Sequence, residues 1–200
     1  MVVEQNVGGN KLDLFAEQHD RMSISIEGDD AFHRNSIAIH NGAFGPLPRY
    51  VMGDSGPLHR PMLNVYAPAT ARLAGGAVRG TRLDDAAAGL AAWVQGRPVE
   101  HRELGKKVWS AVLEIEPGQE GFFDILYRVP RVVTTENGRK VYRLVVQRQP
   151  KIHRELLTIE LRLPQGAEDV RARGWKKRGS VLTLEMRLVE DEVLEVSWRE

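Results

Sequence analysis

From residue 107 onward, the apolar side chains of this chain recur at every second position. Trp109, Ala111, Leu113 and Ile115 share one parity, and Phe123, Ile125, Tyr127 and Val129 do the same after the Pro117-Gly118 turn. Leu157, Ile159, Leu161 and Leu163 repeat the pattern before Pro164, as do Leu182, Leu184, Met186 and Leu188 further on. A pleated backbone sends successive side chains to opposite faces, so this period builds strands with one dry side and leaves no room for long amphipathic helices in the same residues.

Shorter stretches nearer the start behave alike. Met22-Ser23-Ile24-Ser25-Ile26 and Asn35-Ser36-Ile37-Ala38-Ile39-His40 alternate, and Gly28-Asp29-Asp30 between them is turn chemistry, which predicts a hairpin. Asn137-Gly138, between residues 132–135 and 139–147, is a stronger hairpin signal, because a type I′ turn needs positive φ at both central positions. Met62 to Ala67 reads as a strand closed by Pro68, and Arg72 to Val78 as a strand whose Gly75-Gly76 pair marks a bulge. Residues 41–61 hold four Pro and read as a long irregular loop whose Phe44, Leu47, Tyr50, Val51 and Met52 pack downward. Ala-rich Asp84 to Trp93, with an Asp to cap it, is the one place where a short helix is expected.

Composition removes several classes. With 42% apolar residues the chain is too apolar to be disordered, and no run of about 18 apolar residues offers a membrane span. The 28 Lys and Arg against 27 Asp and Glu leave a net charge of +1, without the basic excess of a nucleic-acid-binding surface. There is no Cys, hence no disulfide frame, thiol nucleophile or Cys-ligated zinc. No cofactor is expected.

The expected fold is mainly β: an antiparallel β-sandwich followed by a smaller packed β unit, with at most one short helix. The boundary is placed at 1–138 for the sandwich and 139–200 for a small C-terminal β domain. The second unit, about 60 residues, buries too little surface to stand alone and should pack on the first. Residues 1–10, with Gly8, Gly9 and two Asn and no basic-then-apolar export signal, read as a linker, favouring a piece of a longer exported protein.

Asn6-Val7-Gly8-Gly9-Asn10-Lys11, Gly45-Pro46-Leu47-Pro48-Arg49-Tyr50-Val51, Glu116-Pro117-Gly118-Gln119 with Tyr127-Arg128-Val129-Pro130, and residues 142–150 together resemble the C-terminal part of the DUF4012 family. That family comprises bacterial envelope-associated proteins of unknown function. The resemblance covers most of the chain, supplies no catalytic residues, and implies an extracytoplasmic location at the cell envelope.

Candidate chemistry is sparse. None of the six His lies in a metal-binding H-E-x-x-H arrangement. Asp29, Asp30 and His33 offer oxygens and one nitrogen to a cation, but read more simply as a solvated turn. Asp54, Ser55 and His59 are the residue types of a hydrolytic triad, yet such members usually meet from distant segments, and Gly-Asp-Ser-Gly is ordinary turn chemistry. Glu114, Asp124 and Glu160 fall on strand faces that should be wet. The best binding candidates are Trp175, Lys176, Lys177 and Arg178, where cations beside an indole can grip an anionic polymer at a hairpin tip, and Tyr50 as part of a sugar platform. The simpler reading folds Trp175 and Tyr50 onto the core; Trp93, Trp109 and Trp198 are expected there too.

These readings point to a non-catalytic extracytoplasmic β-sandwich module of a larger anchored envelope protein, with an interaction or scaffold role and a cell-envelope polysaccharide or protein as partner. The alternative is a carbohydrate- or anionic-polymer-binding module, with a hydrolase third.

Overall fold

The hairpin expected around Gly28 is the spine of the molecule. In the computed structural model, which describes residues 1–80, 98–151 and 156–200, β2 (Ala16–Glu27) and β3 (Asp30–Asn41) each run twelve residues. They turn at Gly28, whose φ of +59° suits a residue without Cβ. This pair lies at the middle of a seven-stranded sheet. Its order is β13 (Lys176–Arg178), β14 (Val181–Arg187), β11 (Leu156–Arg162), β2, β3, β8 (Glu120–Val129) and β5 (Arg72–Arg79). A four-stranded sheet has the order β1 (Val2–Asn6), β4 (Pro61–Ala67), β7 (Lys106–Val112) and β6 (Val99–Glu103). A second has the order β12 (Glu168–Arg171), β15 (Glu192–Arg199), β10 (Arg139–Val146) and β9 (Val133–Glu136). The chain is thus mainly β and built from several antiparallel sheets. The helix expected at 84–93, and Trp93 with it, lies outside the described residues.

Strand parity shows how the layers stack. Ile24 and Ile26 of β2, Ile37 and Ile39 of β3, Phe123 and Ile125 of β8, and Ile159 and Leu161 of β11 are all buried and lie on one face of the large sheet. Both four-stranded sheets pack on that face, side by side. Ile37, Ile39, Phe123 and Ile125 meet Leu63, Val65, Trp109 and Ala111 in one core. Ile24, Ile26, Ile159 and Leu161 meet Tyr142, Val146, Val196 and Trp198 in another. The opposite face of the large sheet carries Arg21, Ser23, Arg34, Ser36 and Asp124 toward solvent.

Between the two cores the dry face becomes polar. Gln18 and Asp20 on β2, and His33 and Asn35 on β3, are all buried. They form a polar seam where the two small sheets adjoin.

Several expectations are met in detail. Asn137 and Gly138 take φ of +50° and +71° between β9 and β10, as a type I′ turn requires. The β5–β8 ladder shifts register between Leu73 and Gly75, at the expected bulge. Trp109 and Trp198 are fully buried.

Others are corrected. The residues read as an N-terminal linker include β1, which pairs with β4 from Val2↔Val65 to Asn6↔Pro61; Val2 and Val3 supply strand propensity that the glycines downstream obscure. β11 lies parallel to β2, against the antiparallel rule of the other described pairs. Segments on both sides of residue 138 therefore share the large sheet and the second core, and the Asn137-Gly138 turn joins two strands of one sheet. Strand β7 and the residues after it are buried on both faces, so Glu114 is withdrawn from water and paired with Arg60 at 2.7 Å. In the 41–61 loop, Val51 packs with Leu12 and Ala43 around a short helical turn, Arg49–Met52. Tyr50 instead stands 72% exposed, because a single helical turn can bury only one side, and Phe44, ahead of that turn, stands 92% exposed.

Candidate functional site

Among the described residues, the outer face of the seven-stranded sheet gathers charged and hydroxyl side chains along two adjoining grooves. Register places Arg21 of β2 opposite Ser36 of β3, and Ser36 opposite Asp124 of β8. On the other side Arg21 meets Thr158 of β11, and Ser23 meets Glu160. Ser36 donates to Asp124 Oδ1 at 2.5 Å. The guanidiniums of Arg34 and Arg79 stand 3.7 and 3.9 Å from the two Asp124 oxygens, beyond hydrogen-bond length, and are 63% and 69% exposed. Arg79 also lies over the Phe122 ring, 5.2 Å from its centroid. Arg21, Arg34, Ser36, Asp124, Thr158 and Glu160 line an open groove of about 660 Å³. A second groove of about 450 Å³ shares Ser23, Arg34 and Glu160 with it and continues past Ser25, Phe32 and Arg162. Two guanidiniums beside one carboxylate leave donors to spare. The hydroxyls of Ser23 and Thr158, also on this wall, can donate or accept.

Within a strand, parity alone marks Arg34, Ser36 and Asp124 as outward. Their convergence depends on the β2–β3–β8 order, which has no local signal.

The residues singled out from the sequence are dispersed. Trp175 is half-buried against the second core, its Nε1 withdrawn from water without an acceptor. It precedes β13 at the crossover from one sheet to another and so is not at a hairpin tip. Lys176, Lys177 and Arg178 are exposed along β13 at the end of the large sheet. Tyr50, with Lys11 over its ring at 5.5 Å, belongs to the separate 41–61 loop. Asp54 is fully exposed, Ser55 donates to the Gly8 carbonyl at 2.6 Å, and His59 is fully buried with Nε2 3.1 Å from Glu4, so these three make no triad. Asp29 pairs with Lys140 at 3.0 Å and Asp30 with Arg128, while His33 points into the seam, so no cation site forms from them. Among the described residues, no group of His and acidic side chains is arranged to hold a metal.

A second polar cluster lines a cleft of about 410 Å³ beside the first small sheet. Glu4 accepts from Lys151 at 2.7 Å and bonds His59; Lys151 also donates to Gln18, whose amide donates to both Asp20 oxygens at 2.8 and 2.9 Å. Burial by itself would raise the Glu4 carboxyl. The hydrogen bonds from His59 and Lys151 outweigh it and hold that carboxyl at about 2. This chain of contacts spends its polar groups on one another and ties β1, His59 and Lys151 to β2, a clasp rather than an open site.

No family model matches the chain, and no curated protein matches it. Among solved structures, a putative nutrient binding protein from Legionella pneumophila matches with a TM-score of 0.50 at 8% identity, over 97% of this chain and 69% of that one. An M1 zinc metallopeptidase from Deinococcus radiodurans matches with a TM-score of 0.44 at 14% identity, over 92% of this chain and 42% of that one. A leukotriene A4 hydrolase from Saccharomyces cerevisiae gives 0.46 at 10% identity, over 97% and 31%. The likeness to the first is one of fold. The chain spans about two fifths of the length of the metallopeptidase it matches.

Proposed function

We propose that this chain is a non-catalytic β-sandwich module of a larger, anchored bacterial envelope protein, lying outside the cytoplasm and serving as an interaction or scaffold element. The outer face of the seven-stranded sheet carries this reading: it is grooved and lined by charged and hydroxyl side chains, among them the exposed guanidiniums of Arg34 and Arg79. The resemblance to DUF4012 supports the envelope setting. Protease accessibility of an epitope-tagged full-length protein on intact cells tests it. Cleavage without lysis is expected, and protection until lysis would overturn the location.

A second reading narrows the partner to a carbohydrate or other anionic polymer. The loosely held, exposed guanidiniums of Arg34 and Arg79 favour it, because a carboxylate or sulfate on a glycan can take both hydrogen-bond forks that Asp124 leaves open. An array comparing uronate-bearing with neutral glycans separates the two readings. Retention of uronates, lost about tenfold in an Arg34→Ala/Arg79→Ala double variant and kept in Trp175→Ala, supports the sheet face. Loss in Trp175→Ala alone would shift the site to residues 175–178. Silence on every glycan would reject the second reading.

A further inference from the structure

The seam between the two cores holds a partly open cavity of about 70 Å³, apart from the outer face described above. Met22, Ile37, Leu144, Leu157 and Leu188 contribute apolar walls. Asn35 and Tyr127 also line it. Asn35 is only 4% exposed, and its Oδ1 is buried with no hydrogen-bond partner. An amide oxygen withdrawn from water without a donor is costly to keep, so its presence on a cavity wall points to something that donates there.

The space is about half of a cavity known to hold benzene, roughly 150 Å³, and more than the roughly 10–15 Å³ that one water needs on the same measure. It suits a molecule of about four heavy atoms. Both Asp20 oxygens accept from the Gln18 amide, and Met1, whose ammonium donates to the Tyr66 carbonyl, and Arg21 already line the cavity, so a neutral hydroxyl fits better than a further cation. We propose that this cavity is a binding site for a short-chain alcohol, its hydroxyl donating to Asn35 Oδ1 and its carbon body against Ile37, Leu157 and Leu188.

Methyl-detected NMR of the whole chain, titrated with 2-propanol, tests this. The expected result is saturable shifts confined to Met22, Ile37, Leu144, Leu157 and Leu188, with a dissociation constant near about 1 mM, within what so small a ligand can reach. Asn35→Leu removes the acceptor and should weaken binding at least about tenfold. Leu188→Phe leaves Asn35 in place, fills the cavity, and should abolish the shifts, which keeps the test open if the first variant fails to fold. Linear, unsaturated drift across surface methyls would overturn the proposal. So would equal affinity in a folded Asn35→Leu, or crystals grown with 2-propanol that hold two waters at Asn35 instead.

Discussion

The imidazole of His33 lies flat against the Tyr127 ring, with centroids 4.9 Å apart and planes 7° from parallel, and the Tyr142 hydroxyl sits 3.3 Å from its Nε2. Both rings belong to the seam, where burial disfavours the imidazolium and pulls His33 down to about 4. The folded chain therefore resists a proton that the unfolded chain accepts below its ordinary value of 6.5. Stability should be full above about pH 6.5 and fall progressively as the pH drops toward 4, by about 3 kcal/mol as a ceiling. Urea melts between pH 4 and 7 should show this slope, and His33→Phe, which preserves the stack, should flatten it. An unchanged slope in that variant would place the titration elsewhere.

Glu4 acts in a lower window. Its folded value near 2 lies below the ordinary 4.5, so its stabilisation is present above about 4.5 and lost as the pH falls through 2. At neutral pH, Glu4→Gln takes the counter-charge from Lys151 and should cost about 2–4 kcal/mol. Adding Lys151→Met should recover much of that, because the two side chains act as one unit. A double-mutant cycle by chemical denaturation measures the coupling, and additive losses would show that the clasp is not cooperative.

The three cations of β13 guard a sheet edge. β13 pairs with β14 on one side and ends the seven-stranded sheet on the other, and Lys176, Lys177 and Arg178 are all exposed. Charged side chains on an edge strand oppose pairing with a second molecule. The triple variant Lys176→Thr, Lys177→Val and Arg178→Thr should keep its melting temperature but gain concentration-dependent mass by light scattering. An unchanged mass would leave the run without this role.

Gly138 sets the β9–β10 turn. Its φ of +71° is unfavourable for any residue with a branched Cβ, so Gly138→Val should cost about 1–2 kcal/mol in thermal or chemical melts. A neutral outcome would mean that the turn relaxes to another type.

Trp175 offers a different readout. Since its ring packs on the second core and its Nε1 lacks an acceptor, Trp175→Phe should be close to neutral for stability and Trp175→Ala should cost about 2 kcal/mol. A Trp175→Ala variant as stable as the parent would return the ring to the list of surface contacts.

The alternation of Trp109 to Ile115, Phe123 to Val129 and Leu157 to Leu163 was enough to define strands, their dry sides and the β-rich class, because side-chain parity is a property of the pleated backbone itself. The turns at Gly28 and Asn137-Gly138 were equally legible, since positive φ at a glycine is a local demand. Parity could not say which strands would be neighbours. That β11 lies parallel on β2, that Glu114 is shut in beside Arg60, and that Gln18, Asp20, His33 and Asn35 point inward are outcomes of long-range pairing; a polar residue at a dry position looks, in sequence, like an interruption of the pattern. The meeting of Arg34, Arg79 and Asp124 on one groove has the same origin. Residues more than forty positions apart converge only when strands from distant segments hydrogen-bond side by side, and the free energy that selects one such arrangement belongs to the packed layers as a whole.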